Sequence, residues 1–255
     1  MRHAQDQRQF RVAVAAAAAC LFPSCWTLKI VTIVLPPERI FVLRLAFGLG
    51  VLLAAAWLFG AIAEDVVHHD LPLGTIDLHV AGWLHAHATP ALTSLMTAIS
   101  YLGAPPTVAA IVVAVAAILL WRKRRYDCLL LLLAVAGGGL LNWIIKVLIH
   151  RDRPFFTDPI VTLNSFSFPS GHTMGSTVLY GALAAIAIQH VGPTGSRTLV
   201  IAATACLIAL VAFSRLYLGV HYLSDVLAGF FGGVVWLVAC VGAVVALRRR
   251  NGAKR

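Results

Sequence analysis

"CLLLLLAVAGGGLLNWIIKVLI", Cys128–Ile149, runs directly into "HRDRP", His150–Pro154. A helix needs about 20 largely apolar residues to cross a bilayer, and the first stretch supplies them. Lys146 near its end, Arg151 and Arg153 then place three cations within eight residues. A basic cluster at the edge of hydrocarbon reads in two ways. The long side chains can snorkel to lipid headgroups, or they can gather an anion, since the guanidinium fork suits phosphate oxygens and lysine adds a point charge.

The rest of the chain has the same character. Its 255 residues are 60% hydrophobic and only 12% charged, with mean hydropathy +0.88. A soluble domain carries about 25% charged residues, so the composition indicates an all-α, polytopic membrane bundle. Six spans are expected: Val42–Ala63, Pro106–Trp121, Cys128–Ile149, His172–Gln189, Leu199–Phe213 and Val226–Leu247. The second can begin earlier, near Leu92, with "LGAPP" (Leu102–Pro106) as a kink or turn. The fifth is short and needs Ser214 onward at the interface. These spans make residues 41–255 one domain. Residues 1–40 form a separate N-terminal segment, in which Val12–Phe22 is only half a span and suits an interfacial helix or a disordered stretch.

The net charge of +10 raises nucleic acid as a partner. However, the basic residues cluster beside apolar runs, at "WRKRR" (Trp121–Arg125) and "RRRNGAKR" (Arg248–Arg255), the pattern of cytoplasmic membrane loops. The lipid bilayer is the expected partner, and nucleic acid is not. With both termini cytoplasmic, these clusters and Arg197 all lie inside. Glu64–Thr93, Arg151–Pro169 and Ser214–Ser224 then face outward, towards the periplasm if the membrane is a bacterial inner (plasma) membrane. Five cysteines are odd in number and show no metal-ligand spacing. Cys128, Cys206 and Cys240 fall inside apolar runs, as small buried hydrophobes do.

Two further polar clusters reach the outer face on this topology. In "FPSGHT" (Phe168–Thr173), Ser170 is a good N-cap, Gly171 permits close backbone approach, and His172 lies in the first turn. A helix N-terminus offers free N–H groups to an anion. In "SRLYLGVHYLSD" (Ser214–Asp225), His221 and Asp225 are four residues apart and on a helix would share one face. A carboxylate on one imidazole nitrogen fixes the tautomer and leaves the other lone pair free for attack. An Arg215–Asp225 ion pair is the plainer alternative, and it leaves His221 without a purpose.

Taken together, "KVLIHRDRP", "PSGH" and "SRLYLGVHYLSD" resemble the three signatures of the type-2 phosphatidic acid phosphatase (PAP2) superfamily: K-x6-R-P, P-S-G-H and S-R-x5-H-x3-D. Every fixed position matches, in order. The resemblance implies a membrane hydrolase of lipid phosphate or diphosphate esters that works through a phosphohistidine, without metal or other cofactor. His221 would be the nucleophile, Asp225 its orienting partner and His172 the general acid. Lys146, Arg153 and Arg215, with Ser170 and Gly171, would bind the phosphoryl oxygens. Undecaprenyl diphosphate and phosphatidylglycerophosphate lead as substrates, with phosphatidic acid and lipid A phosphates as alternatives. Vanadium haloperoxidases share the motifs but are soluble. An anion-binding or transport protein would not need the His221–Asp225 pair. The histidines of "VHHD" (Val67–Asp70), His79 and "HAH" (His85–His87) could bind metal, or be scattered interfacial residues.

Overall fold

The computed structural model describes residues 37–68, 71–192 and 194–252. Among them the chain forms helices and connecting segments: α1 (Pro37–His68), α2 (Leu71–Ala86), α3 (Pro90–Tyr101), α4 (Pro105–Trp121), α5 (Arg125–Ile149), α6 (Gly171–Ile188), α7 (Thr194–Tyr217) and α8 (Leu223–Gly252). The chain divides into Met1–Leu43 and Arg44–Arg255, and all that follows concerns the second unit. The expected interfacial helix at Val12–Phe22 lies outside the described residues.

Five stretches are long and apolar enough to cross a membrane: Ala46–His68, Arg125–Ile149, Gly171–Ile188, Gly195–Tyr217 and Leu223–Asn251. α3 and α4 qualify together as a sixth, bent by 40° at the "LGAPP" break. The break has local causes. Thr89 caps α3 by accepting from the Leu92 N–H, and prolines open both helices, where a missing N–H costs nothing.

Three details differ from the sequence reading. Glu64–Thr93 is not a plain outer loop: it holds the end of α1, all of α2 and the start of α3. α2 has 16 residues, too few to span, and so escapes a search for spans. α7 continues through Ser214 and Arg215 to Tyr217, longer than expected. His221 is not on a helix, because α8 begins only at Leu223.

α6 is the centre of the bundle, packing most extensively on α8, α5 and α7. Its close contact with α8 depends on small residues. A Cβ at Gly229 would lie 2.7 Å from the Ser170 carbonyl oxygen, and one at Gly233 would lie 2.8 Å from Thr177 Cβ. Small residues four apart let membrane helices approach backbone to backbone. The core between α4, α5, α6 and α8 is apolar, with Leu131, Ala134, Val178, Leu179 and Ala182 buried. Large apolar side chains such as Trp57, Val113, Trp143 and Leu148 point outward, as a lipid-facing surface requires. Cys128 and Cys240 are buried as expected, whereas Cys206 is exposed on α7.

The two ends of the bundle have different chemistry. At one, Asn251 of α8 donates to the Tyr126 hydroxyl of α5 and Arg248 donates to Gln189 just past α6, which gathers the basic clusters together. At the other end the three motif segments meet.

Candidate active site

α5 ends at His150, which turns the chain out of the helix in a left-handed conformation (φ 52°). Four residues earlier, Lys146 projects from the last turn, and its Nζ donates to the carbonyls of Phe166 (2.6 Å) and Ser167 (3.1 Å). The segment 150–170 is thereby folded back over the end of the bundle. Arg153 holds it from within, donating to Ser165 O (2.7 Å), Ser165 Oγ (2.9 Å) and Phe166 O (3.2 Å), and across to Val220 O (2.5 Å).

Ser170 caps α6 as expected. Its Oγ accepts from the Thr173 N–H (3.5 Å) and hydroxyl (3.0 Å), and its own N–H donates to the Asp225 carbonyl (2.9 Å). The cap consumes the hydroxyl, and Ser170 does not line the cavity described below. Gly171 and His172, in the first turn, do line it.

His221 is buried in the turn between α7 and α8. Its Nδ1 lies 3.5 Å from Asp225 Oδ2 and 3.4 Å from Ser167 Oγ, and its Nε2 lies 3.2 Å from Arg153 Nη1. The tautomer follows from these partners. A guanidinium only donates, so Nε2 must accept and Nδ1 carries the proton towards the carboxylate. Burial pushes the imidazole down to about 4; Asp225 opposes this, and Arg153 and Arg215 reinforce it. His221 is therefore neutral near pH 7, with the Nε2 lone pair on the side of the cations.

Asp225 is fully buried and surrounded by donors. Oδ1 accepts from Arg151 Nη1 (2.7 Å); Oδ2 accepts from the Tyr222 N–H (2.8 Å) and the Ser167 hydroxyl. The ion pair expected as the plainer alternative, Arg215 with Asp225, is absent among the described residues. Arg151 takes that place, and it reaches Asp77 of α2 as well (2.8 Å). Arg151 was read as one of the anion-gathering cations; it is engaged by carboxylates instead.

Lys146, Arg153 and Arg215 are different. Among the described residues none of them forms a salt bridge with a carboxylate. Arg215, only 5% exposed, donates from Nη1 to Ser100 Oγ of α3 (2.6 Å), and its buried Nε has no hydrogen-bond partner. Burial lowers the affinity of Arg153 for its proton. Three cations are thus held against neutral oxygens. A buried charge without a counter-charge is costly, so the arrangement is poised for an anion.

A cavity of about 690 Å³ receives these groups. Lys146, Arg153, Gly171, His172, Arg215 and His221 line its polar end. From there it runs between α4 and α5 past Val108, Val112, Val135 and Leu132. On α5, Leu132 lies 14 residues before Lys146, or about 21 Å along the axis at 1.5 Å per residue.

The residues that sequence reasoning missed are Asp77, Ser100, Ser167 and Arg151 in its actual role. None belongs to a fixed motif position. The one signal for Asp77 was a lone acid in the largely apolar stretch 71–84. The outer histidines do not converge: His85 pairs with Asp158 (3.0 Å) and stacks on Phe156, while His87 stacks on Trp83. His69 and Asp70 lie outside the described residues.

The PAP2 superfamily pattern matches residues 127–249. Phosphatidylglycerophosphatase B of Bacillus subtilis is 38% identical over 147 residues, 57% of this chain and 72% of that protein. Decaprenylphosphoryl-5-phosphoribose phosphatase of Mycolicibacterium smegmatis is 36% identical over 89 residues, 34% of this chain and 43% of that one. Among solved structures, the transmembrane PAP2-type phosphatidylglycerolphosphate phosphatase of Bacillus subtilis superposes with a TM-score of 0.70 at 31% identity, covering 75% of this chain and 94% of that one. Aquifex aeolicus LpxE shares the fold at a TM-score of 0.54 and 22% identity, over 68% and 97% of the two chains. With the three signatures gathered at one cavity and a relative this similar over most of its length, the chain belongs to the PAP2 superfamily.

Proposed function

We propose that His221 is the phosphoryl acceptor of this enzyme and that phosphatidylglycerophosphate is its substrate. As a PAP2 member the chain is an integral membrane phosphatase acting on lipid phosphates. The observation that carries the finer reading is the two-part cavity: cations and imidazoles at one end, an apolar groove from there towards the middle of the membrane. That division matches an amphiphile with a phosphate head and a hydrocarbon tail.

In the reaction, Lys146, Arg153 and Arg215 bind the three non-bridging phosphoryl oxygens, with the Gly171 N–H at the start of α6. Ser170 contributes by fixing that helix start. Nε2 of His221 attacks phosphorus in line with the ester oxygen, and the P–O bond breaks. His172 gives its proton to the departing alkoxide. Nδ1–H of His221 stays hydrogen-bonded to Asp225, which offsets the positive charge on the phosphorylated ring. Water then attacks phosphorus, His172 takes up its proton, and inorganic phosphate leaves with His221 neutral again. Phosphoryl transfer asks mainly for positioning and charge stabilisation, which fixed cations and a helix terminus supply.

The site faces the periplasm in this reading, with both termini cytoplasmic, because the basic clusters gather at the opposite end of the bundle. The activity for which the Bacillus relative is named favours phosphatidylglycerophosphate; the Mycolicibacterium match supports a polyprenyl-linked phosphate as the second reading. Phosphate release from a panel of phosphatidylglycerophosphate, phosphatidic acid, a polyprenyl phosphate ester and undecaprenyl diphosphate in one detergent tests it. The highest kcat/KM on phosphatidylglycerophosphate is expected, and a higher value on either polyprenyl compound overturns the assignment.

A further inference from the structure

Asp77 lies on α2, before the first signature and outside the part of the chain that the superfamily pattern matches. It is 1% exposed, which is costly for an acid unless its oxygens are filled. They are filled from two sides. Oδ1 accepts from the Ser224 N–H (2.9 Å), and Oδ2 accepts from Arg151 Nη2 (2.8 Å) and the Ser224 hydroxyl. Arg151 extends its other arm, Nη1, to Asp225 Oδ1 (2.7 Å) and Ser224 Oγ (2.6 Å), with its guanidinium 4.5 Å from the Tyr222 ring centre. Burial works against the charge of Arg151, but Asp225 and Asp77 outweigh it and raise the guanidinium above its ordinary range.

We propose that Asp77 and Arg151 form a bridge that positions Asp225 against His221, so that the catalytic dyad is the end of a four-residue chain, Asp77–Arg151–Asp225–His221. The guanidinium is planar and rigid, so anchoring one arm on Asp77 sets where the other arm holds Asp225 Oδ1. Oδ2 is then left facing Nδ1 of His221. Asp77 acts a second time on the same point. Ser224 is the second residue of α8, where amides lack helical partners, so Asp77 caps α8 from another helix and fixes the turn that carries Asp225. Neither Asp77 nor Arg151 lines the cavity, so both are positioning residues and touch no substrate.

The proposal rests on His221 being the nucleophile, and His221→Ala is therefore measured alongside. Around His221 the charged groups are Asp225 from α8, Arg215 from α7, His172 from α6 and Arg153 from the connecting segment, with Lys146 of α5 in the same cavity. In Asp77→Asn, kcat on a lipid phosphate monoester falls about 10- to 100-fold, because a misplaced dyad slows chemistry. KM and inhibition by vanadate stay within about threefold, because the phosphate cations are untouched. In Arg151→Gln the cation beside Asp225 is gone, the carboxylate acts on His221 unopposed, and the acid limb of kcat/KM moves up by about one pH unit. Asp77→Asn moves that limb down if it moves at all. Should Arg151→Gln fail to fold, Arg151→Lys keeps the charge without the fork, so kcat falls and the limb stays. The bridge is refuted if Asp77→Asn keeps kcat within about threefold of the parent. It is refuted equally if every loss tracks the folded fraction while the limb of Arg151→Gln, or the kcat of folded Arg151→Lys, is unchanged. Activity retained by His221→Ala sinks the nucleophile assignment instead; an inactive His221→Ala beside a fully active Asp77→Asn sinks the bridge alone.

Discussion

Exchanging Asp225 for asparagine changes one oxygen into an NH2 group and keeps the shape, yet the structure makes it more damaging than truncation to alanine. Every neighbour of the carboxylate is a donor: Arg151 at Oδ1, and the Tyr222 N–H, the Ser167 hydroxyl and His221 Nδ1–H at Oδ2. An amide has only one acceptor end. With the NH2 towards Arg151, the guanidinium loses one of its two carboxylate partners and faces a donor instead. With the NH2 towards His221, the imidazole is driven to the other tautomer, with the proton on Nε2. That nitrogen then has no lone pair for phosphorus and points an N–H at Arg153. A wrong tautomer of this kind costs about 10³- to 10⁴-fold in kcat, or about 4–5.5 kcal/mol of transition-state stabilisation. Alanine removes the acceptor without offering a competing donor, so the reactive tautomer stays accessible.

The expected order of kcat is therefore Asp225, then Asp225→Ala, then Asp225→Asn, the reverse of chemical similarity. KM and vanadate inhibition should change little in the asparagine variant. The assay is phosphate release from a lipid phosphate monoester in mixed micelles, normalised to monodisperse, folded protein. Rapid-quench detection of acid-labile phosphohistidine would locate the defect in the first step. Turnover by Asp225→Asn within about tenfold of the parent would refute the tautomer argument. So would an alanine variant slower than the asparagine variant at equal folded fraction.

The low proton affinity of His221 also makes stability depend on pH. Between the ordinary imidazole value near 6.5 and about 4, the unfolded chain binds a proton that the folded one refuses, so stability falls by about 3 kcal/mol as pH drops through that window. Denaturant unfolding in detergent at pH 7 and 4.5 should show the loss, and a His221→Gln variant should show less of it; equal pH dependence in both would rule this out. His172→Ala should lose far less activity on a substrate with an acidic leaving group than on an alkyl ester, while His221→Ala should be inactive on both. Parallel losses across a leaving-group series would contradict the division of roles. In Gly229→Ala the new methyl meets the Ser170 carbonyl at 2.7 Å, a backbone atom that must move the start of α6. Activity and thermal stability should both fall, and a variant with parental kcat and Tm would show that the α6–α8 approach tolerates a methyl group.

The spans and motifs were legible because both are repetitive signals: about 20 apolar residues in a row, or fixed spacings between polar residues. Lys146, Arg153, His172, Arg215 and His221 were named from the three polar clusters and the PAP2 signatures they resemble, and they meet at one cavity. Three things were not legible. α2 is too short to register as a span, so its Asp77 looked like one polar residue in a loop. His221 was placed on a helix because it precedes Asp225 by four residues, whereas the contact arises from the turn at Leu218–Tyr222 that leads into α8. Arg151 and Arg153 are two residues apart with the same charge, yet one faces two carboxylates and the other faces carbonyls and His221. Sequence spacing cannot tell them apart, because the difference is made by α2 and α8 arriving on one side only.

That last difference bears on how a membrane protein keeps so much positive charge near hydrocarbon. Four cations, Lys146, Arg151, Arg153 and Arg215, lie at one end of the bundle. The two buried carboxylates there, Asp77 and Asp225, both bind Arg151. The remaining three cations are held by backbone carbonyls and hydroxyls, which orient a cation without cancelling its charge. A carboxylate beside Arg153 or Arg215 would stabilise the empty site and compete with substrate for the same donors. Confining the acids to Arg151 avoids that competition. In the proposed mechanism the phosphate dianion supplies the missing counter-charge, and the electrostatic gain is largest in the transition state, where charge spreads over the three oxygens assigned to these cations.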